Sequence, residues 1–340
     1  MPDLPRVAVV GATGAVGRTM IAILEEREFP VSELRLMASE RSAGTVVNTR
    51  WGEVTVEQLD KADPSGIDIA LFSAGAARSR RYAAAFTAAG AVVVDNSSAF
   101  RQDPGVPLVV AGVNGHAVAS HEGVIANPNC TTMTLMMAAG PLHRQAGLAR
   151  MVAMSYQSVS GAGMSGMDAL MHQSRVLIEQ REALVAGTWE DPGNEPFQRP
   201  IGFNVLPMAG SITGAGHTDE EWKLVNETRK ILEREDISVE PTCVRVPVMV
   251  GHGISATMWF DTPLDPETAR RVIEEAPGVA LWADDHVATP LDSAGADPVL
   301  VSRIRPTLGQ PGGISLWTVG DNLRKGAALN AVEIAELLVA

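Results

Sequence analysis

Cysteine is scarce in this 340-residue chain, which holds two thiols, Cys130 and Cys243. Two are too few for a disulfide framework and fit a reducing, cytoplasmic setting, so each has to be explained singly. Long apolar runs are absent, and none approaches the roughly 18 residues needed to span a bilayer. A basic leader is missing too: the start, Met1-Pro-Asp-Leu-Pro-Arg6, carries an early Asp, and the apolar run after it breaks at Gly11. No secretory signal is therefore expected. Positive charge is in deficit, with 27 Lys and Arg against 40 Asp and Glu and a formal net charge of −13. Such a surface repels nucleic acid and anionic membrane, and neither is expected as a partner. An anionic ligand would need cations gathered in one cleft. No internal repeat or low-complexity tract stands out, and no metal is expected.

What is present points to a large, two-part α/β protein. The length favours two domains, and a 46% hydrophobic fraction with 20% charged residues is ordinary for this class. Arg6–Val10, Leu34–Ala38, Ile67–Phe72 and Ala91–Asp95 read as short buried strands. Helical segments lie between them, from Arg18 to Arg27 and from about Ala76 to Ala89. This alternation predicts a doubly wound parallel sheet through about residue 128. Thereafter the pattern shifts. Thr131–Ala146 and Met164–Ala186 read as helices, and Thr218-Asp-Glu-Glu221 is a capping box opening another. Strands are predicted at Met151–Val159, Ser238–Val250, Ile254–Phe260, Val299–Arg305 and Gly313–Val319, which suggests an α+β second domain. The final segment, Asn322–Ala340, reads as a helical tail.

Gly11-Ala-Thr-Gly14-Ala-Val-Gly17 falls between the first strand and the first helix. Glycines there let the backbone turn tightly and approach a pyrophosphate, held by the free N–H groups of the helix start. A tight turn without a ligand is the plainer alternative; the strand–helix context favours a dinucleotide, with Thr13, Ala15 and Val16 in the same turn. After the second strand comes Ala38-Ser39-Glu40-Arg41-Ser42. Ser39, Arg41 and Ser42 suit the 2′-phosphate of NADP(H), while Glu40 could instead accept a ribose hydroxyl.

Asn127-Pro-Asn-Cys130-Thr-Thr132 immediately precedes a helical run. A thiol at a helix start meets the positive end of the helix dipole, which raises its thiolate fraction. Cys130 therefore reads as a nucleophile rather than as core filling, while Cys243, inside a strand-like run, reads as core. Among seven histidines, His252 is flanked by Gly251 and Gly253, a pattern that suggests a bend presenting its ring to a cleft. Arg101, Lys223 and Arg245 are the cations expected around an anionic substrate.

Taken together, several segments resemble those of bacterial aspartate-β-semialdehyde dehydrogenases, in that family's order and over nearly the whole chain. They are Gly11–Gly17, Asp95–Arg101, Asn127–Thr132, Tyr156-Gln-Ser-Val-Ser-Gly-Ala-Gly163, Thr218–Lys223, Cys243–Val248 and Asp321–Ala328. The resemblance implies reduction of β-aspartyl phosphate by NADPH to aspartate semialdehyde and phosphate, in the biosynthesis of lysine, threonine and methionine. It implies that Cys130 attacks the acyl carbon, Gln157 holds the intermediate and His252 is the general acid/base. Arg245 would grip the α-carboxylate, Glu220 the α-amino group, and Arg101 and Lys223, with Asn129 nearby, the phosphate. Ser160, Gly161 and Asn322 would lie near the nicotinamide. It further implies a nucleotide domain at 1–128 plus 322–340, a catalytic and dimerisation domain at 129–321, and a homodimer or homotetramer. Thr45, where relatives often carry Lys, and the segment Val46–Leu59 with Trp51 depart from the family pattern. An N-acetyl-γ-glutamyl-phosphate reductase-like enzyme and a non-catalytic paralogue of the fold are the alternatives.

Overall fold

Four residues of Arg6–Val10 and all four of Ile69–Phe72 are buried in succession, as befits central strands covered on both faces. The computed structural model describes residues 4–283 and 286–340, so Met1–Asp3 at the head of the leader reading lie outside the described residues. The chain divides into two compact units, one of residues 1–136, 226–234 and 324–340, the other of 137–225 and 235–323.

The first unit holds β1 (Arg6–Val10), β2 (Glu33–Ala38), β3 (Val46–Thr49), β4 (Gly52–Thr55), β5 (Glu57–Gln58), β6 (Ile69–Phe72), β7 (Val92–Asp95) and β8 (Val124–Ala126). Its main sheet runs β5-β2-β1-β6-β7-β8, parallel at every pairing. It is the expected Rossmann-type, doubly wound sheet. Alternate residues of β1 feed two cores: Val7 and Val9 join one, Ala8 and Val10 the other. The chain leaves β1 toward β2 on one side and returns to β6 on the other. The Gly11 turn therefore sits at the reversal of strand order, where open α/β sheets bind ligands. The tail helix Leu329–Val339 packs into the Val7/Val9 core through Leu329, Val332, Ile334 and Ala335. The divergent segment forms an antiparallel β3–β4 hairpin, whose Val47, Trp51 and Val54 cover the same core.

In the second unit, β9 (Leu148–Gln157), β10 (Ser238–Arg245), β11 (His252–Phe260), β12 (Val279–Leu281), β13 (Val299–Pro306) and β14 (Gly313–Gly320) form one mixed sheet. The order is β10-β9-β11-β14-β13-β12, and β9 and β10 are parallel while β11 and β14 run antiparallel to their neighbours β9 and β13. With its helices this unit has the α+β character expected. The predicted helix Met164–Ala186 is in fact two, Met164–Ile178 and Arg181–Ala186. Gln180 leaves helical geometry between them, and its side chain accepts the Glu190 N–H and donates to the Glu190 carbonyl. The capping box at Thr218 is present: the Glu221 N–H donates to Thr218 Oγ1 at 3.2 Å, and the Thr218 N–H donates to Glu221 Oε2 at 2.8 Å. Among the described residues no helix is long and apolar enough to cross a membrane.

Candidate active site

Cys130 is the first residue of the helix Cys130–Ala146 and is partly exposed. Asn129 caps that helix, its Oδ1 accepting the N–H groups of Thr131 at 2.9 Å and Thr132 at 3.3 Å. The loop leading to the thiol is held at each residue that can be held. Asn127 donates its N–H to the Asp95 carbonyl at 2.8 Å, and its Oδ1 accepts from Asn330 Nδ2 at 2.6 Å. Pro128 has no N–H to place. Asn129 donates its N–H to Glu227 Oε2 at 2.7 Å.

Arg101 joins this group. Its guanidinium donates to the carbonyls of Asn127 at 2.9 Å and Asn96 at 3.0 Å, and to Glu227 Oε1 at 3.1 Å. The turn leading to Arg101 is organised by Asp95, a buried carboxylate that accepts from the Ser79 and Ser97 hydroxyls, each at 2.6 Å. Burial pushes Asp95 above the usual carboxylate range in spite of those two bonds.

The glycine turn shows why its residues are glycine. Gly11 has φ +92°, and a Cβ there would lie 2.3 Å from the Ser73 carbonyl oxygen. A Cβ on Gly17 would lie 2.2 Å from the Gly11 oxygen, so the helix Ala15–Glu26 can approach the turn only without one. No side chain caps that helix at Gly14, which leaves its start to a ligand. Thr13 Oγ1 donates to Ser42 Oγ at 3.1 Å, bringing the turn against the Ser39–Ser42 segment, where Arg41 is exposed. These features fit a dinucleotide.

The remaining expected residues collect at one end of the second sheet. Gln157 and Arg245 end the parallel strands β9 and β10 as register partners; His252 begins β11, paired with Gly320 at the end of β14, and Asn322 follows two residues on. Arg245 Nη1 donates to the Ser158 carbonyl at 2.7 Å. Gly161 lies against both this arginine and the imidazole, since a Cβ there would be 3.0 Å from Arg245 Nη1 and 3.4 Å from His252 Nε2. Asn322 Nδ2 donates to Ser160 Oγ at 2.9 Å, and its Oδ1 accepts the Gly251 N–H at 2.9 Å.

The bend expected at His252 is real, with Gly251 at φ +99°, but the ring is fully buried rather than presented to an open cleft. Gly253 has a separate cause: a Cβ there would strike the Trp317 ring at 2.3 Å. Burial, and then the Arg245 charge, push the His252 pKa down to about 3, while a bond to the Gly251 carbonyl acts weakly the other way. The Ser158 N–H donates to Nδ1 at 3.1 Å, so the neutral ring carries its proton on Nε2.

Gln157 Nε2 donates to Glu220 Oε2 at 3.4 Å, and Lys223 Nζ donates to Glu220 Oε1 at 2.7 Å and Asp219 Oδ2 at 2.6 Å. Burial works against the Lys223 ammonium, but Glu220 and Asp219 outweigh it and the net shift is upward. Cys243 stands apart. It is wholly buried, and desolvation pushes its pKa up to about 12, which fits the expected core role.

Two residues beside the expected ones were not singled out from sequence. Ser158 faces His252 with both its N–H and its hydroxyl, the latter 3.1 Å from Nδ1. Glu227 holds both Arg101 and Asn129. The signal for Glu227 was a charged residue seven positions after Glu220, on the same face of one helix. Among the described residues no group of three or more His, Cys, Asp or Glu could hold a metal.

Comparison with known proteins bears on both units. Residues 6–121 match the family described as semialdehyde dehydrogenase, NAD binding domain, and residues 140–325 match semialdehyde dehydrogenase, dimerisation domain. Aspartate-semialdehyde dehydrogenase from Streptomyces akiyoshiensis is 50% identical over 342 residues, covering 98% of each chain. The enzyme of that name from Synechocystis sp. is 46% identical and covers 100% of this chain and 98% of its own. The crystal structure of aspartate semialdehyde dehydrogenase II from Vibrio cholerae, 43% identical, has a TM-score of 0.93 over 99% of both chains. A second structure of that enzyme is complexed with ASA, again with a TM-score of 0.93.

Proposed function

The chain belongs to the aspartate-semialdehyde dehydrogenase family, and on that premise we propose that it reduces β-aspartyl phosphate to aspartate semialdehyde and phosphate with NADPH, through a thioester on Cys130. One observation carries the reading: a partly exposed thiol heads a capped helix, on a loop fixed by buried hydrogen bonds.

The Cys130 thiolate attacks the acyl carbon, the carbon–oxygen bond to phosphate breaks, and phosphate departs. Arg101 has three of its five N–H donors engaged, which leaves two for that anion. The N–H of Cys130 itself, at the helix start, is the donor for the oxyanion of the tetrahedral species. NADPH, when bound, supplies the hydride that reduces the thioester. Neutral His252 donates its Nε2 N–H as a hydrogen bond to the developing oxygen, which then collapses to the aldehyde and releases the Cys130 thiolate, and Gln157 supplies an amide donor beside it. Arg245 takes the α-carboxylate with its planar guanidinium. Glu220 takes the α-ammonium. Lys223, paired with Glu220 in the free protein, then shares that carboxylate with the substrate and turns its charge toward phosphate. Ser39, Arg41 and Ser42 accept the 2′-phosphate, and Ser160, Gly161 and Asn322 border the nicotinamide. The matched dimerisation domain supports a homodimer or homotetramer.

The test is an assay of purified protein with aspartate semialdehyde, phosphate and either NADP or NAD. Phosphate-dependent cofactor reduction, faster with NADP, is expected, with little turnover of N-acetylglutamate semialdehyde. Preference for the N-acetylated substrate, whose blocked amine has no use for Glu220, would overturn the substrate reading; no phosphate-dependent turnover of either would overturn the enzyme reading.

A further inference from the structure

We propose that Glu227 is a positioning residue of this reaction, one buried carboxylate that sets both the anion-holding Arg101 and the peptide beside the nucleophile. The inference rests on the reading of Arg101 as a phosphate ligand.

Glu227 is 1% exposed, and its two oxygens face donors from two different loops. Oε1 accepts from Arg101 Nη1 at 3.1 Å and Oε2 accepts the Asn129 N–H at 2.7 Å. Its own helix repeats the hold three residues later: Lys230 Nζ donates to the carbonyls of Arg101 at 2.7 Å and Asp103 at 3.1 Å. Arg101 is thereby gripped by side chain and by main chain from one helix.

An ionised carboxylate is costly to bury unless it is paired and hydrogen-bonded, and Arg101 and Asn129, which donate to it here, both belong to the candidate site. With Nε and Nη2 already on the Asn127 and Asn96 carbonyls, the bond to Glu227 fixes the guanidinium plane. The direction of its two remaining N–H groups is then fixed as well. The second bond holds the N–H of Asn129, the residue whose side chain caps the Cys130 helix. Glu227 touches no reacting atom; it acts through Arg101 and Asn129.

Glu227→Gln tests this, because both partners are donors and an amide can accept from only one while its NH₂ group meets the other. The KM for phosphate is expected to rise about 10- to 100-fold, with the KM for aspartate semialdehyde changed by no more than about twofold. Arg101→Ala should raise the phosphate KM as well, and the double variant should raise the phosphate KM no further than Arg101→Ala alone.

An unchanged phosphate KM in Arg101→Ala would overturn the reading of Arg101 itself. A raised value there, beside an unchanged or lowered value in Glu227→Gln, would overturn the role of Glu227 alone. So would a fall in kcat with both KM values unchanged, or additive increases of the phosphate KM in the double variant. Should Glu227→Gln fail to fold by circular dichroism, Glu227→Asp reads the same split, since it keeps the charge but reaches only one of the two donors.

Discussion

The nucleophile and the imidazole rest on different kinds of support. Cys130 stands at the end of a loop whose geometry is set by side chains distant in sequence, among them Asn330 and Glu227. His252, Gln157 and Arg245 stand on strands, and backbone ladders fix them through the pairs His252 with Gly320 and Gln157 with Arg245. A loop tied by a few buried polar bonds concentrates its stability in those bonds. A sheet spreads it over many. Replacing a strand-borne side chain should therefore remove chemistry and leave the scaffold, whereas replacing a loop anchor should disturb both.

Arg245→Lys should sharpen this contrast most. A lysine keeps the charge but loses the planar fork, so kcat/KM for aspartate semialdehyde should fall by about two orders of magnitude, about 2.7 kcal/mol. The urea midpoint should hardly move. A large loss of stability in this variant would break the comparison.

The next effect is read by pH. The folded-state pKa of His252, about 3, lies below its unfolded value of about 6.5, so the unfolded chain takes up the proton first on acidification. The stabilisation from holding the ring neutral is fully present above pH 6.5. It is lost, at up to about 1.4 kcal/mol per pH unit, as pH falls from 6.5 toward 3. His252→Asn should flatten the stability curve between pH 4.5 and 6.5 relative to the parent, and parallel curves would remove burial of the neutral ring from the account.

The smallest effect is on the loop. Asn129→Ala deletes the helix cap and should cost about 1 kcal/mol of stability, with a fall in kcat accompanying it. A stability loss with kcat untouched would mean that the loop anchors do not govern the thiol.

How far the sequence revealed these features follows from the range of the forces involved. The glycine turn, the helix start at Cys130 and the Thr218 capping box are local, each written within a few consecutive residues, and each was legible. Alternating and continuous apolar runs located the two sheets and most of their strands. The buried state of His252 was not legible, because Gly251-His-Gly253 records a bend and a close contact with Trp317, not what covers the ring. Nor was the pairing of Glu227 with residues 98 and 126 positions earlier, which only tertiary structure brings about. The break at Gln180 depends on its bonds to Glu190, again outside a local window. Cys130 and Cys243 could be told apart by context, but the physical cause of the inertness of Cys243 is desolvation, which only the fold supplies.

Labelling of the native protein with iodoacetamide, followed by peptide mass analysis, tests the central claim most directly. Cys130 should be alkylated in step with loss of activity and be protected by aspartate semialdehyde, while Cys243 should remain unmodified until the protein unfolds. Inactivation that tracks modification of Cys243, or full activity with Cys130 alkylated, would contradict the assignment of the nucleophile.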